Sequence, residues 1–149
     1  MSIICSFFGH RTVREDIRAR LYTEIERHIT EKNTDTFYVG GYGQFDGMAE
    51  SILHEIKERR PHISVYLVLA YMPAGTDKES RGKHHLAIYP EGLESVPRKF
   101  AITRRNRWIV EQSDYIVGYV STSWGGAYDA LEYAKRKHKC VINLAEGVK

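Results

Sequence analysis

Three glycine-bearing stretches stand at the ends of short apolar runs: Gly9-His10-Arg11, Gly40-Gly41-Tyr42-Gly43 and Gly125-Gly126. Glycine lets main-chain N–H groups come close to a phosphate, and a helix that starts just beyond adds partial positive charge at its N-terminus. A further stretch, Arg98 to Arg107, carries Arg98, Lys99, Arg104, Arg105 and Arg107 with no acid among them. Bare amides beside guanidinium groups suit an anionic ligand, phosphate first.

Around the glycines, His10 and Arg11 follow the first apolar run directly and are placed to meet an anion, or else are exposed loop residues. Asp46 lies just past the second glycine cluster, where its carboxylate either caps a helix or accepts ribose hydroxyls. Trp124, beside Gly125 and Gly126, either packs or stacks on a base, whereas Trp108 reads as a packing residue.

Other chemistries lack their residues. There is no Ser-His-Asp order and no Walker-type phosphate loop, and Gly-Gly-Tyr-Gly fails the full dinucleotide spacing. His84-His85 has no carboxylate or cysteine at helical spacing to complete a zinc set, so no metal and no cofactor is expected. Cys5 and Cys140 sit in apolar strand-like runs without metal or redox spacing and read as reduced core residues.

These residues need elements to position them. Ser2 to Phe8 is too short for a helix and reads as a strand. Thr12-Val13-Arg14-Glu15 has the form of a capping box, and Val13, Ile17, Leu21, Ile25 and Ile29 then mark one helix face, ending near Asn33. Thr36 to Val39 is a second strand, a helix follows through Met48, Ala49, Ile52, Leu53 and Ile56, and Pro61 stops it. Ile63 to Ala70 is apolar throughout, as in a strand buried on both faces.

Tyr71 to Pro97, with three of the four prolines, breaks this rhythm. It reads as a functional or mobile segment that closes over the ligand, with a brief extended piece at Leu86 to Tyr89. A helix over Arg98 to Ser113, a strand over Tyr115 to Val120, a helix through Ala127, Ala130, Leu131 and Ala134, and a strand over Cys140 to Leu144 complete the order.

Strands alternating with helices imply right-handed βαβ units. The expected class is α/β: a Rossmann-like, doubly wound, mainly parallel five-stranded sheet of order 3-2-1-4-5, counted along the chain, with helices on both faces. Residues 1–149 are expected to form one domain. The ligand is then expected outside the carboxyl ends of the strands, between the first and the fourth. With 149 residues and a net charge of +3, nucleic acid is an unlikely partner, and a scaffold that holds another protein or a single strand of nucleic acid on the basic helix is the weaker alternative to a small ligand. The longest apolar runs are far short of a membrane span and no secretory leader opens the chain, so a cytoplasmic address is expected.

Phe8-Gly9-His10-Arg11, Val39 to Asp46 followed by Ala49, Arg105-Asn106-Arg107-Trp108, Ser113-Asp114 and Gly125-Gly126-Ala127-Tyr128 together resemble bacterial proteins of the SLOG superfamily. The resemblance runs in order over nearly the whole chain. It implies a Rossmann-like fold, a nucleotide or nucleotide-derived ligand, and self-association into a homodimer or higher homo-oligomer, for which the helix over Arg98 to Ser113 could supply an interface.

The superfamily includes the lonely guy phosphoribohydrolases, whose Pro-Gly-Gly-x-Gly-Thr-x-x-Glu signature is matched at Gly125, Gly126 and Glu132. Trp124, Tyr128 and Asp129 stand where the signature has proline, its third glycine and threonine. Arg105 falls at the spacing of the family's catalytic arginine. By this resemblance Glu132 would stabilise positive charge on a ribose while orienting water, and Arg105 would clamp phosphate or ribose. The alternative is a structural ion pair between Glu132 and Arg105. The site expected from sequence is therefore Arg105 and Glu132 as catalytic pair, with Gly9, His10, Arg11, Gly40, Gly41, Gly43, Asp46, Arg104, Trp124, Gly125 and Gly126 as ligand contacts.

Overall fold

The structure is a computed structural model that describes residues 2–14, 16–72 and 86–146. Six strands, β1 (Ile4–Gly9), β2 (Thr36–Val39), β3 (Ser64–Val68), β4 (Leu86–Ile88), β5 (Tyr115–Tyr119) and β6 (Cys140–Asn143), form one sheet of order β4-β3-β2-β1-β5-β6. Every neighbouring pair is parallel. This is the expected Rossmann-like order with one strand more. The brief extended piece at Leu86 becomes an edge strand, because Leu69 N–H and the β3 ladder have only its backbone to pair with on that side.

Among the described residues four α-helices cover the sheet: α1 (Ile17–Glu31), α2 (Gly43–Arg59), α3 (Ala101–Gln112) and α4 (Gly126–Arg136). Period-two alternation assigns the faces. Cys5, Phe7, Phe37, Val39 and Val117 pack with Leu21 and Ile25 of α1 and Ile52 and Leu53 of α2. Phe8, Tyr38 and Ile116 point the other way, into Ile109 and Val110 of α3 and Leu131 and Ala134 of α4. Both faces being covered explains why the central strands are nearly continuous runs of apolar residues.

Two local expectations are corrected. Helix α1 begins at Ile17, not after Thr12, because residues 10 to 14 stay outside the helix and dock on the start of α2. Gln44 N–H donates to Arg11 O at 2.7 Å, and Val13 N–H donates to Gln44 Oε1 at 2.8 Å. Cys5 is fully buried, and burial pushes its thiol well above the ordinary range, but Cys140 is exposed because it opens the edge strand β6. His84 and His85 lie outside the described residues, as does most of the segment expected to close over the ligand. Among the described residues no helix is long and apolar enough to cross a membrane.

Candidate functional site

Parallel strands all point one way, so their carboxyl ends form one edge. Strand order turns back between β1 and β5, whose last residues Gly9 and Tyr119 are register partners. A cleft of about 500 Å³ opens there. It is walled by Gly9, His10 and Arg11 leaving β1, by Tyr42 and Asp46 at the start of α2, by Arg105 and Asn106 of α3, and by Trp124, Gly125 and Gly126 entering α4. Most of the expected contacts thus come together from separate crossings of the sheet.

The glycines do unlike work. A side chain at Gly9 would run into the ring of Phe45, with a Cβ only 2.3 Å from Phe45 Cγ, so this glycine makes room for packing as well as lining the cleft. A Cβ at Gly41 would meet Leu67 Cδ1 at 2.8 Å, and one at Gly43 would meet Arg11 Cα at 2.9 Å. Gly40, Gly41 and Gly43 shape the β2–α2 turn and do not border the open space. Gly125 and Gly126 differ: beside each there is nothing within 4 Å, and Gly125 has φ of +101°, which other residues rarely adopt. No side chain caps α4, whose first amides beyond Gly125 lie at the cleft without an intrahelical carbonyl to receive them.

His10 joins the two central strands. Its Nε2 accepts the Ser121 N–H at 2.8 Å, which places the ring proton of the neutral residue on Nδ1, and its ring meets Tyr119 edge-on at 6.1 Å. Arg11 is exposed at the rim, and Trp124 is the most exposed large apolar residue of the described chain at 74%. The backbone beneath Trp124 is held, since Thr122 Oγ1 donates to its carbonyl at 2.8 Å.

Arg105 is 4% exposed although charged. Its Nη1 donates to Gly40 O at 3.0 Å and Val68 O at 3.1 Å, and its Nε donates to Asn106 Oδ1 at 3.0 Å. Burial lowers its pKa from the ordinary value, against the pull of Asp46. Tyr42 lies over the guanidinium, its ring centroid 5.4 Å from Cζ.

Asp46 faces Arg105 across Gly40. A Cβ at Gly40 would sit 3.0 Å from Arg105 Nη1 and 3.1 Å from Asp46 Oδ2, so only glycine leaves both groups where they are. Asp46 Oδ2 accepts the Tyr42 N–H at 3.3 Å, and Oδ1 is buried with no partner. Burial pushes the carboxyl up to about 7, with the nearby Arg105 opposing the rise.

Besides the β2–α2 glycines, two further expected residues lie outside the cleft. Glu132 pairs with Lys135 at 3.2 Å and lines a neighbouring depression of about 380 Å³ with Tyr133 and Arg136; it does not reach Arg105, and the alternative ion pair between them does not form. Arg104 is exposed and borders a third depression beside Trp108 and Glu111. Tyr42 and Asn106 are the site residues that sequence reasoning missed. Tyr42 was signalled only by an aromatic among turn glycines, and Asn106 only by its place in a resembling motif.

The site and fold define a Rossmann-like α/β protein with an anion-compatible cleft at the switch point of its sheet. Solved structures of DNA processing protein A (DprA) are similar in fold. The Streptococcus pneumoniae protein matches with a TM-score of 0.65 at 15% identity, over 94% of this chain and 49% of that one. The Helicobacter pylori protein, whose structure is described for its unique single-stranded DNA binding mode, matches with a TM-score of 0.65 at 14% identity, over 93% of this chain and 63% of that one. The chain therefore spans about half to just under two-thirds of the length of these structurally similar proteins. No family model matches the sequence. No curated protein matches it either.

The expectation that nucleic acid is an unlikely partner is corrected by these neighbours, one of them described by how it binds single-stranded DNA. Net charge averages over the whole surface, whereas a single strand is held by a local groove and by aromatic faces on which its bases stack.

Proposed function

We propose that the chain binds a nucleotide unit in the cleft between β1 and β5, either as a free nucleotide or as part of a single strand. The phosphate sits on the uncapped amides at the start of α4, and the base lies against Trp124. The observation that carries this reading is the open space beside Gly125 and Gly126: the first amides of α4 lie at a cleft that no side chain among the described residues fills. Arg11 at the rim and the dipole of α4 favour an anion there.

The same reading keeps the chain with the SLOG-type proteins that its motifs resemble, as one Rossmann-like domain. Cleavage of an N-glycosidic bond is not part of it, because Glu132 borders a different depression from Arg105.

Calorimetric titration with nucleoside monophosphates in one arm and a short single-stranded oligonucleotide in the other tests the proposal. Binding in either arm that is lost in Gly126→Glu, which places a carboxylate on the phosphate position, supports it. Binding only to the oligonucleotide identifies the strand as the ligand. Absence of binding in both arms, or binding indifferent to Gly126→Glu, overturns it.

A further inference from the structure

We infer that Asp46 is a specificity-determining residue of the cleft, its Oδ1 accepting a hydrogen bond from an O–H or N–H donor of the bound nucleotide. The inference rests on the nucleotide reading above and adds what the ligand must carry besides phosphate.

The geometry begins with an unmet acceptor. Asp46 Oδ1 is buried and has no hydrogen-bond partner, and Asp46 lines the cleft. Buried acceptors are nearly always satisfied, so a lone one at a ligand cleft calls for a donor that arrives with the ligand. Thr34 Oγ1 is the other such atom among the described residues, and it borders no depression described above.

Among the described residues no group completes a hydrogen bond to Oδ1. Helix capping engages the other oxygen through the long Tyr42 N–H contact at 3.3 Å, and the backbone of Gly40 also interacts with the carboxyl. Arg105, facing from α3, commits Nη1 to two carbonyl oxygens and Nε to Asn106, and acts on Asp46 through its charge. His10 faces from the β1 loop, but its Nε2 is taken by Ser121. Arg11 borders the rim of the same cleft, and Glu50, one turn along α2, is acidic.

A phosphate is the wrong partner for a carboxylate, and the start of α4 already offers it amides. The neutral part of a nucleotide carries the donors: sugar hydroxyls, or an amine on the base. Either would satisfy Oδ1. A donor there favours the ionised carboxyl, so binding would bring down a group that burial holds at about 7, and a proton would leave as ligand binds near neutrality.

The test uses the full chain and calorimetry. The four ribonucleoside 5′-monophosphates are compared with their 2′-deoxy and 3′-deoxy forms, and adenosine 5′-monophosphate with purine riboside 5′-monophosphate, which lacks the amine. In the wild-type protein, removing the donor that Asp46 reads weakens binding by about tenfold or more, as for a hydrogen bond to a charged acceptor. In Asp46→Ala the same pair binds within about twofold, since the acceptor is gone. The hydroxyl and amine arms tell which donor it is.

Wild-type affinities that ignore every donor, or discrimination that survives in Asp46→Ala, overturn the inference while leaving nucleotide binding intact. No binding by any nucleotide overturns both. Should Asp46→Ala fold poorly, carbon-13 NMR titration of the Asp46 carboxyl in the wild-type protein decides: its midpoint falls on saturation with the nucleotide, and an unmoved midpoint overturns the inference.

Discussion

Arg105 Nη1 donates to the carbonyl oxygen of Gly40 at 3.0 Å, which ties helix α3 to the carboxyl end of β2. The same nitrogen reaches Val68 O, at the end of β3. One guanidinium thus satisfies two strand-end carbonyls that have run out of ladder partners, at the wall of the cleft.

That arrangement makes Arg105 a structural residue first. Arg105→Ala leaves both carbonyls buried and unmet, and should cost about 3 kcal/mol in urea unfolding, with an unchanged denaturant slope. Arg105→Lys recovers less than half of that loss, because an ammonium on a flexible stem cannot present the same planar fork. Wild-type stability in both variants would show that the guanidinium is kept for ligand alone.

Gly40 and Gly126 should separate packing from binding. A methyl group at Gly40 would press on Arg105 and Asp46 at once, so Gly40→Ala should lose about 1–3 kcal/mol of stability and weaken ligand binding with it. Gly126 stands in open space and helical conformation, where alanine is the better helix former. Gly126→Ala should therefore match or exceed wild-type thermal stability while binding nucleotide less well, since its methyl group occupies room beside the amides. Equal loss of stability in the two variants would contradict this division.

The sheet was legible because its order is written in period and punctuation. Short apolar runs such as Ile63 to Ala70 are of strand length, and Gly9 and Gly40 stop the first two. The added edge strand showed only as a brief extended piece, since Leu86 and Ala87 are exposed and its place beside β3 is set by backbone bonds. Much of the site was legible for the same reason: residues that follow strand ends must meet at one edge. Which glycine serves ligand and which serves packing was hidden, because the Phe45 ring beside Gly9 and the Leu67 side chain beside Gly41 come from elements whose approach no spacing encodes. Glu132 was misplaced by a motif match that fixes position along α4 but not the depression it faces.

Two buried titratable groups should make stability depend on pH in opposite directions. His28, on α1, is 1% exposed and its Nδ1–H donates to Glu24 O at 2.8 Å; burial lowers its pKa from 6.5, although Glu24 pulls the other way. The fold favours the neutral ring, so its contribution is complete above 6.5 and is lost as pH falls below that value. Asp46 is the reverse. The fold favours its protonated form, so its contribution is present below 3.8 and is lost as pH rises to about 7. Asp46→Asn, which keeps the shape without the charge, should be more stable than wild type by about 1–3 kcal/mol at pH 8 and should converge with it near pH 4. Paired unfolding curves at the two pH values measure this, and a constant difference between the proteins would refute it.

The two tryptophans should part company under substitution. Trp108 stacks on Tyr38 with ring centroids 5.7 Å apart and packs against the α3–α4 core, so Trp108→Ala should lower the unfolding free energy. Trp124 is 74% exposed, with its backbone held and its ring unsupported. Its indole contributes little to folding and is open to stack on a base beside the start of α4. Stacking on a base is worth about 1–3 kcal/mol, which amounts to roughly five- to 150-fold in affinity. Trp124→Ala should therefore keep wild-type thermal stability and bind nucleotide more weakly by that factor, while Trp124→Tyr retains most of the affinity because a phenol ring still offers a face. Unchanged binding by Trp124→Ala would remove the base from this position and leave the ring's exposure to be explained by a contact with another molecule.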